Sequence, residues 1–334
     1  MGPTIRDVAA RARVSKATVS YVLNGRPGVS ARTRQRVLEV MEELGYRPNT
    51  VARSLASRKT QTLGLVIPDI SDMFYAHIIR GVESAANERD YILNLCTTRS
   101  DPRREREVVD SLMSGRVDGV ILMTYSLDHA YLEKLRATGR PFVLLDDPDA
   151  GPSLHAVSVD NSEAGFKAAE YLISLGHRKI AFIHGSPRSR DTWYRFSGFR
   201  RALQASGVAL REEYVRVGDF TRDGGFKAAS ELMSLPDPPT AILAANDQMA
   251  IGALEAITRS GRRVPEDVSL MGVDDIEAAS MIRPPLTTIR QPTYEMGRQA
   301  VDLLVRLIGG EELEPRHILL PVTLVVRESC RSAT

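Results

Sequence analysis

Eight short apolar runs, separated by stretches of helical spacing, constrain this chain more than any other feature. They fall in two series, at 63–67, 91–95, 117–122 and 142–145, then at 179–183, 214–217, 241–244 and 268–273. A run such as Leu63-Gly64-Leu65-Val66-Ile67 lacks the polar alternation of a half-exposed strand. It predicts a strand buried on both faces, and strands alternating with helices predict a parallel sheet covered on both sides. Two series within 334 residues predict two doubly wound lobes, each long enough to bury its own core.

In open parallel sheets the ligand crevice lies beyond the carboxyl ends of the strands. The runs end in Pro68-Asp69-Ile70-Ser71-Asp72, Asp146-Asp147, Gly218-Asp219-Phe220, Asn246-Asp247 and Asp274-Asp275, with Asp160-Asn161 as a sixth polar pair. Taken singly, each pair reads as a loop or a helix cap, as Asp160-Asn161 and Asn246-Asp247 do before their helical patterns. Six such ends converging on one cleft imply a small polar ligand. Carboxylates and amides pair with vicinal hydroxyls or ring N–H groups, and Phe74, Tyr75 and Phe220 can stack on a ring.

A different texture precedes the first series. Ile5, Val8, Ala9 and Ala12 lie at helical spacing behind Thr4, at an N-cap position. After the tight connection Arg13-Val14, Ser15 caps a second helix whose Val19, Val22 and Leu23 face inward. That leaves Lys16, Ala17, Ser20 and Tyr21 outward. A third helix, 30–44, closes a small core with Val37, Val40, Met41 and Leu44. The pattern is a helix-turn-helix in an all-α head. Residues 1–60 carry 12 Lys+Arg against 4 Asp+Glu, a balance of +8, whereas the remainder carries 32 against 38, a balance of −6. A basic head on an acidic body is the electrostatic footprint of a nucleic-acid binder.

Between the two lies a segment where Val51, Ala52 and Leu55 share one side of a helix barely two turns long behind Pro48. Helices that short are marginal alone, so it is expected to form only against a partner or DNA, as a hinge. The two cysteines, Cys96 and Cys330, form no metal or redox spacing and are expected as reduced thiols. No apolar run spans a membrane, and the polar first helix is unlike a signal segment. A cytoplasmic protein is expected. No P-loop, G-x-G-x-x-G, H-E-x-x-H or G-x-S-x-G occurs and the six histidines are scattered, so neither an enzyme nor a metal or cofactor site is expected. His177 and His184 read as surface or core residues, and the Arg-rich run 101–107 as a solvated helix start.

The head motifs T-I-R-D-V-A-A-R-A-R-V-S-K-A-T-V-S (4–20), V-L-N-G (22–25), V-S-A-R-T-R (29–34) and L-G-Y-R-P-N-T-V-A-R-S-L (44–55) resemble the lactose-repressor and galactose-repressor (LacI/GalR) family of bacterial transcription regulators. In the body, G-H-R-K-I-A-F-I (176–183), R-F-S-G-F-R-R-A-L (195–203), A-N-D-Q-M-A-I-G (245–252), V-D-D (273–275) and P-L-T-T-I-R-Q-P (285–292) are similar to the same family.

The resemblance implies a DNA-binding repressor of a near-palindromic operator, acting as a homodimer. Its core would be periplasmic-binding-protein-like and controlled by a small effector. That effector is expected to be a sugar or sugar derivative, with a purine or nucleoside as the alternative. The implied division is residues 1–47 for the head, 48–61 for hinge helix and linker, and 62–334 for effector binding and dimerisation. Within the body, the N-lobe takes about 62–160 and 291–320, and the C-lobe about 161–290 and 321–334. By the same resemblance Lys16, Ala17 and Tyr21 stand at base-reading positions, Tyr21 where many relatives carry arginine. Thr4, Ser15, Thr18, Ser20, Asn24, Ser30, Thr33, Tyr46, Asn49 and Ala52 would also meet DNA, and Leu55 would wedge into the minor groove. Asp146, Arg195, Phe220, Asn246 and Asp274 fall on effector positions, with Asp72, Phe74 and Tyr75 on the loop facing them.

Overall fold

A computed structural model describes residues 3–23, 25–47, 59–124, 127–147, 149–187 and 189–333. Asn24, Asn49, Ala52, Leu55 and most of the expected hinge lie outside the described residues. The chain divides into two units, residues 1–60 and 61–334.

In the first unit, α1 (Ile5–Ala12), α2 (Lys16–Leu23) and α3 (Ala31–Glu43) enclose seven buried alanines and valines, among them Val8, Val19 and Val37. Leu23, Met41, Leu44 and Tyr46 pack half-buried around this core. The caps are explicit. Ser15 Oγ accepts from the Thr18 N–H at 3.0 Å and Ser30 Oγ from the Thr33 N–H at 3.2 Å. The Asp7 carboxylate accepts from both the N–H and the hydroxyl of Thr4 at 2.8 Å, and these bonds hold its carboxyl below the usual range. Between α1 and α2, Arg13 adopts a left-handed backbone with φ 54°, which reverses the chain within three residues.

The second unit contains, in chain order, β1 (Thr62–Ile67), α4 (Met73–Asn87), β2 (Ile92–Thr97), α5 (Pro102–Met113), β3 (Gly119–Leu122), α6 (His129–Ala137), β4 (Phe142–Leu145) and β5 (Ala156–Val159). There follow α7 (Asn161–Ser174), β6 (Ile180–His184), α8 (Arg190–Ala205), β7 (Val215–Val217), α9 (Arg222–Met233), β8 (Ala241–Ala244), α10 (Asp247–Arg259) and β9 (Ser269–Asp274). The chain ends with α11 (Glu277–Met281), β10 (Thr287–Arg290), α12 (Thr293–Ile308), β11 (His317–Leu320) and β12 (Thr323–Val325).

Two six-stranded sheets result, ordered β11-β5-β4-β3-β1-β2 and β12-β10-β9-β8-β6-β7. Each has the same winding, so each puts a switch point beside its first strand, between β1 and β3 or between β6 and β8. Among the described residues the strand pairs are parallel except β10 with β12. Every apolar run of the two series forms a strand. Four further strands, β5, β10, β11 and β12, come from segments too polar or too short for that signal. In β10 the buried Thr287 and Thr288 occupy sites where an apolar residue would have announced the strand. The chain passes between the sheets after β5, after β10 and between β11 and β12.

Helix contacts within each lobe are set by glycines. A Cβ at Gly165 on α7 would lie 1.8 Å from the Arg195 carbonyl oxygen, and one at Gly198 on α8 would lie 1.8 Å from the Ser162 carbonyl oxygen. This close approach brings the start of α8 against the start of α7. It also fixes the side chains at that end.

Candidate functional site

The carboxyl ends of the strands meet in a cleft of about 530 Å³ between the two lobes, and all eight predicted effector residues line it. One wall begins at the α4 cap, where Asp72 Oδ1 accepts from the Phe74 N–H at 3.0 Å. Burial pushes the Asp72 carboxyl above its usual value. Phe74 and Tyr75 meet edge to face with centroids 5.4 Å apart. They are only 8% and 5% exposed, so their rings serve the core and offer the cleft little face for stacking. Asp146, just past β4, has φ 58° and is 4% exposed. Its Oδ1 has no hydrogen-bond partner.

The opposite wall is built on α8. Arg195, 4% exposed, donates from Nε to Asn161 Oδ1 at 2.7 Å and from its terminal nitrogen to the Ala245 carbonyl. The same nitrogen lies 3.7 Å from Asp274 Oδ1. Asn161 in turn donates to Asp191 Oδ1 at 3.1 Å, and Gln291 to Asp274 Oδ1 at 2.7 Å. Asn246 caps α10 by accepting from the Met249 N–H at 2.9 Å, while its Nδ2 donates to the Phe220 carbonyl at 3.1 Å. The Phe220 ring lies over Gly185, where a Cβ would come within 2.1 Å of it.

Asp146, Asp219, Phe220 and Asp274 all have positive φ, 58°, 54°, 69° and 122°. Backbone strain of this kind persists where surrounding packing over-determines it, and it concentrates at binding sites. Three buried carboxyls, Asp146, Asp191 and Asp274, share the single Arg195 guanidinium. Burial raises all three above the usual range, Asp146 to about 6, and Arg195 opposes the rise.

This has a consequence for stability. Below the ordinary carboxyl value of 3.8, folded and unfolded Asp146 both hold a proton, and burial costs nothing. As pH rises toward about 6, the unfolded chain loses its proton first and stability falls. Asp147 and Asp191 oppose ionisation of this group, and Arg195 and Asn161 favour it. Asp146→Asn is therefore expected to raise the melting temperature at pH 7.5 and to leave it nearly unchanged at about pH 3, below both carboxyl values. Equal shifts at both pH values in scanning calorimetry contradict the assignment.

Residues unforeseen as part of the site are Glu105, Asp191, Ser189 and Gln291. The Arg-rich run forms the start of α5 as expected, but Glu105 in it is buried and lines the cleft. The spacing Glu105, Val109, Leu112 carried that signal, since it repeats on the helix's inner face. Arg106 pairs with Asp128 at 2.8 Å, outside its own helix. His177 and His184 are both buried. Burial lowers His184 to about 4, which leaves it uncharged at neutral pH. Among the described residues, no His, Cys, Asp or Glu group is placed to hold a metal ion, and no helix is long and apolar enough to cross a membrane.

On the head, Lys16, Ala17 and Tyr21 lie exposed along α2, with the Arg26 guanidinium 5.8 Å from the Tyr21 ring centroid. Thr4, Ser15 and Ser30 are exposed, and Thr18, Ser20, Thr33 and Tyr46 half-buried.

Residues 4–49 match the model of bacterial regulatory proteins of the lacI family, and residues 169–330 a periplasmic binding protein-like domain. Catabolite control protein A of Priestia megaterium is 37% identical over 332 residues, 99% of this chain and 100% of that protein. The chain belongs to the lacI family. Two solved structures of this LacI-family likeness cover almost the whole chain. One, of the lac repressor dimer bound to operator and the anti-inducer ONPF, has a TM-score of 0.91 at 34% identity over 99% of this chain and 100% of that one. The other, a CelR–cellobiose complex, has a TM-score of 0.75 at 39% identity over 98% and 99%. The chain is thus a transcriptional regulator with a LacI head and a periplasmic-binding-protein-like core.

Proposed function

We propose that this LacI-family chain is a repressor that binds a near-palindromic operator as a homodimer and takes a sugar or sugar derivative in the inter-lobe cleft. The observation that carries the reading is the cleft itself. Strained strand ends from both lobes aim carboxyl, amide and guanidinium groups at one space of about 530 Å³, which suits a molecule rich in hydroxyl groups. The relatives support it: one is a lac repressor dimer on its operator, another a regulator holding cellobiose.

The protein acts by binding alone, in the cytoplasm. Arg195, Asn246 and Asp274 hold the effector, and Asp72 and Asp146 reach it from the other lobe. A ligand that prefers one lobe arrangement shifts the population toward it. The shift reaches the operator through the segment 48–61, which is too short to be helical unaided. At the DNA, exposed Lys16, Ala17 and Tyr21 read base edges while the Ser15, Thr18, Ser30 and Thr33 hydroxyls meet phosphates. Thr4, Ser20, Asn24, Tyr46, Asn49, Ala52 and Leu55 complete that surface by the family pattern.

Selection of bound duplexes from a random pool tests this. The wild-type chain is expected to return a near-palindrome. Lys16→Ala is expected to relax one base position in each half-site and to weaken binding by about 1–3 kcal/mol. Recovery of the same consensus at the same affinity removes Lys16 from base reading, and the absence of any enriched sequence overturns the regulatory reading of the head.

A further inference from the structure

The charge balance of the cleft is lopsided. Asp69, Asp72 and Asp146 line it from one lobe and Asp191, Asp219 and Asp274 from the other, with Glu105 beside them. Only two arginines line the cleft with them among the described residues, and Arg222 is engaged by Glu255 at 2.8 Å. Arg99 acts on Asp69, while Arg195 is shared by Asp146, Asp191 and Asp274, and its nearest carboxylate approach is 3.7 Å, to Asp274.

Two further observations point to a missing positive group. Asp146 Oδ1 is buried, belongs to a lining residue and accepts no hydrogen bond. Asp72 and Asp274, on opposite lobes, both line the cleft, and the Asp72 charge disfavours ionisation of Asp274. Like charges on the two walls resist closure of the cleft. A neutral polyol can donate hydrogen bonds to these groups but leaves their charge in place. An anionic ligand, such as a sugar phosphate, adds to the repulsion.

We propose that the ligand of this cleft is a polyhydroxylated molecule bearing a protonated amine, an amino sugar or aminopolyol, whose ammonium group bridges Asp72 of one lobe and Asp274 of the other. The inference rests on the reading of the cleft as an effector site. An ammonium brings three donors and a charge to a cleft whose lining carboxylates outnumber its arginines, and such charge-assisted bonds are roughly twice as strong as neutral ones. The hydroxyl-bearing remainder then lies toward Asn246, Arg195 and the Phe220 ring.

Calorimetric titration of the full-length chain at pH 7 tests this, with D-glucosamine, D-galactosamine, D-mannosamine and D-glucamine. Each is compared with its neutral parent and, for the sugars, its N-acetyl derivative. Trp193, the chain's single tryptophan, is exposed on α8 two residues from Asp191 and gives an independent fluorescence readout. At least one amine is expected to bind roughly tenfold or more tighter than its parent. N-acetylation is expected to remove that advantage. Asp72→Asn, which retains a capping side chain for α4, is expected to cancel the preference for the amine, so that amine and neutral parent bind the variant alike. A neutral parent that binds as tightly as its amine overturns the inference and leaves the sugar-effector reading standing. If neither amines nor neutral sugars bind, both fall. An amine preference that survives Asp72→Asn overturns the bridging geometry.

Discussion

Arg195→Ala is expected to abolish the response to effector and to destabilise the folded core by about 3 kcal/mol or more at pH 8. The substitution removes the one guanidinium shared by Asp146, Asp191 and Asp274. It also leaves Asn161 Oδ1 and the Ala245 carbonyl without their donor. Removing one partner from a buried charged network costs far more than the network contributes, because the remaining groups stay desolvated. The loss is expected to shrink toward pH 5. There the three carboxyls, already raised by burial and by their neighbours Asp72, Asp147 and Asp247, take up protons and no longer need a cation. Linkage fixes this sign: groups whose folded pKa is raised cost stability as pH increases, and the variant lacks the charge that limits the cost. Thermal unfolding from pH 5 to 8 measures the slope, and a ligand titration at pH 5 asks separately whether the folded variant still binds. Wild-type stability at pH 8 together with wild-type ligand affinity would remove Arg195 from both roles.

What could be read from the sequence follows physical lines. Strands such as β1 and β8 are buried on both faces, so they appear as unbroken apolar runs. The edge strand β2 alternates, with Ile92 exposed, and its bounds are correspondingly less legible, 92–97 against an expected 91–95. Asp146, Asn246 and Asp274 were legible because a polar residue directly after a buried strand has few places to go except the sheet's carboxyl end. Asp191 was not. An acidic residue in the first turn of a helix is the ordinary complement of the helix dipole, and only the tertiary contact with Asn161 gives it another task. Asn161 itself reads as part of a cap, and nothing local reveals that it stands between Arg195 and Asp191. Gln291 lies in an extended crossing without periodicity. The left-handed backbone at Asp146, Phe220 and Asp274 is equally invisible, since non-glycine residues adopt it only when the fold around them requires it.

The three crossings also explain why small rearrangements at the cleft can be global. Each lobe is built from two separate stretches of chain, the second stretch supplying α12 and β11 to one and β12 to the other. Arg190 and Tyr194 on α8 reach Asp149 of the other lobe at 3.0 and 2.6 Å. The lobes are therefore joined by backbone and by side chains from the same helix that carries Arg195. A ligand gripping Arg195 acts on an element that already spans the cleft, which is the differential contact a population shift requires.

Gly198→Ala is expected to be the second large effect, and it separates the position of Arg195 from its chemistry. Mid-helix glycine to alanine ordinarily stabilises by roughly 0.5–1 kcal/mol, through the entropy of the unfolded chain. Here the new methyl would stand 1.8 Å from the Ser162 carbonyl oxygen and 2.7 Å from the Phe166 nitrogen, both backbone atoms of α7. Neither can rotate away, so α8 must move outward by more than an ångström. Overpacking of this sort costs about 1–3 kcal/mol, which outweighs the helix-propensity gain. The outward movement pulls Arg195 from Asn161 and Asp191 from its place beside it. Ligand affinity is expected to fall together with stability although every lining side chain is intact. The control is Gly207→Ala, at a helix end where no atom lies within 4 Å of the added Cβ but φ is +64°. It is expected to cost stability through backbone strain alone and to leave ligand affinity unchanged. Calorimetry on the two variants decides the matter. Equal ligand affinity in Gly198→Ala and wild type would mean that the helix contact does not set the geometry of the cleft.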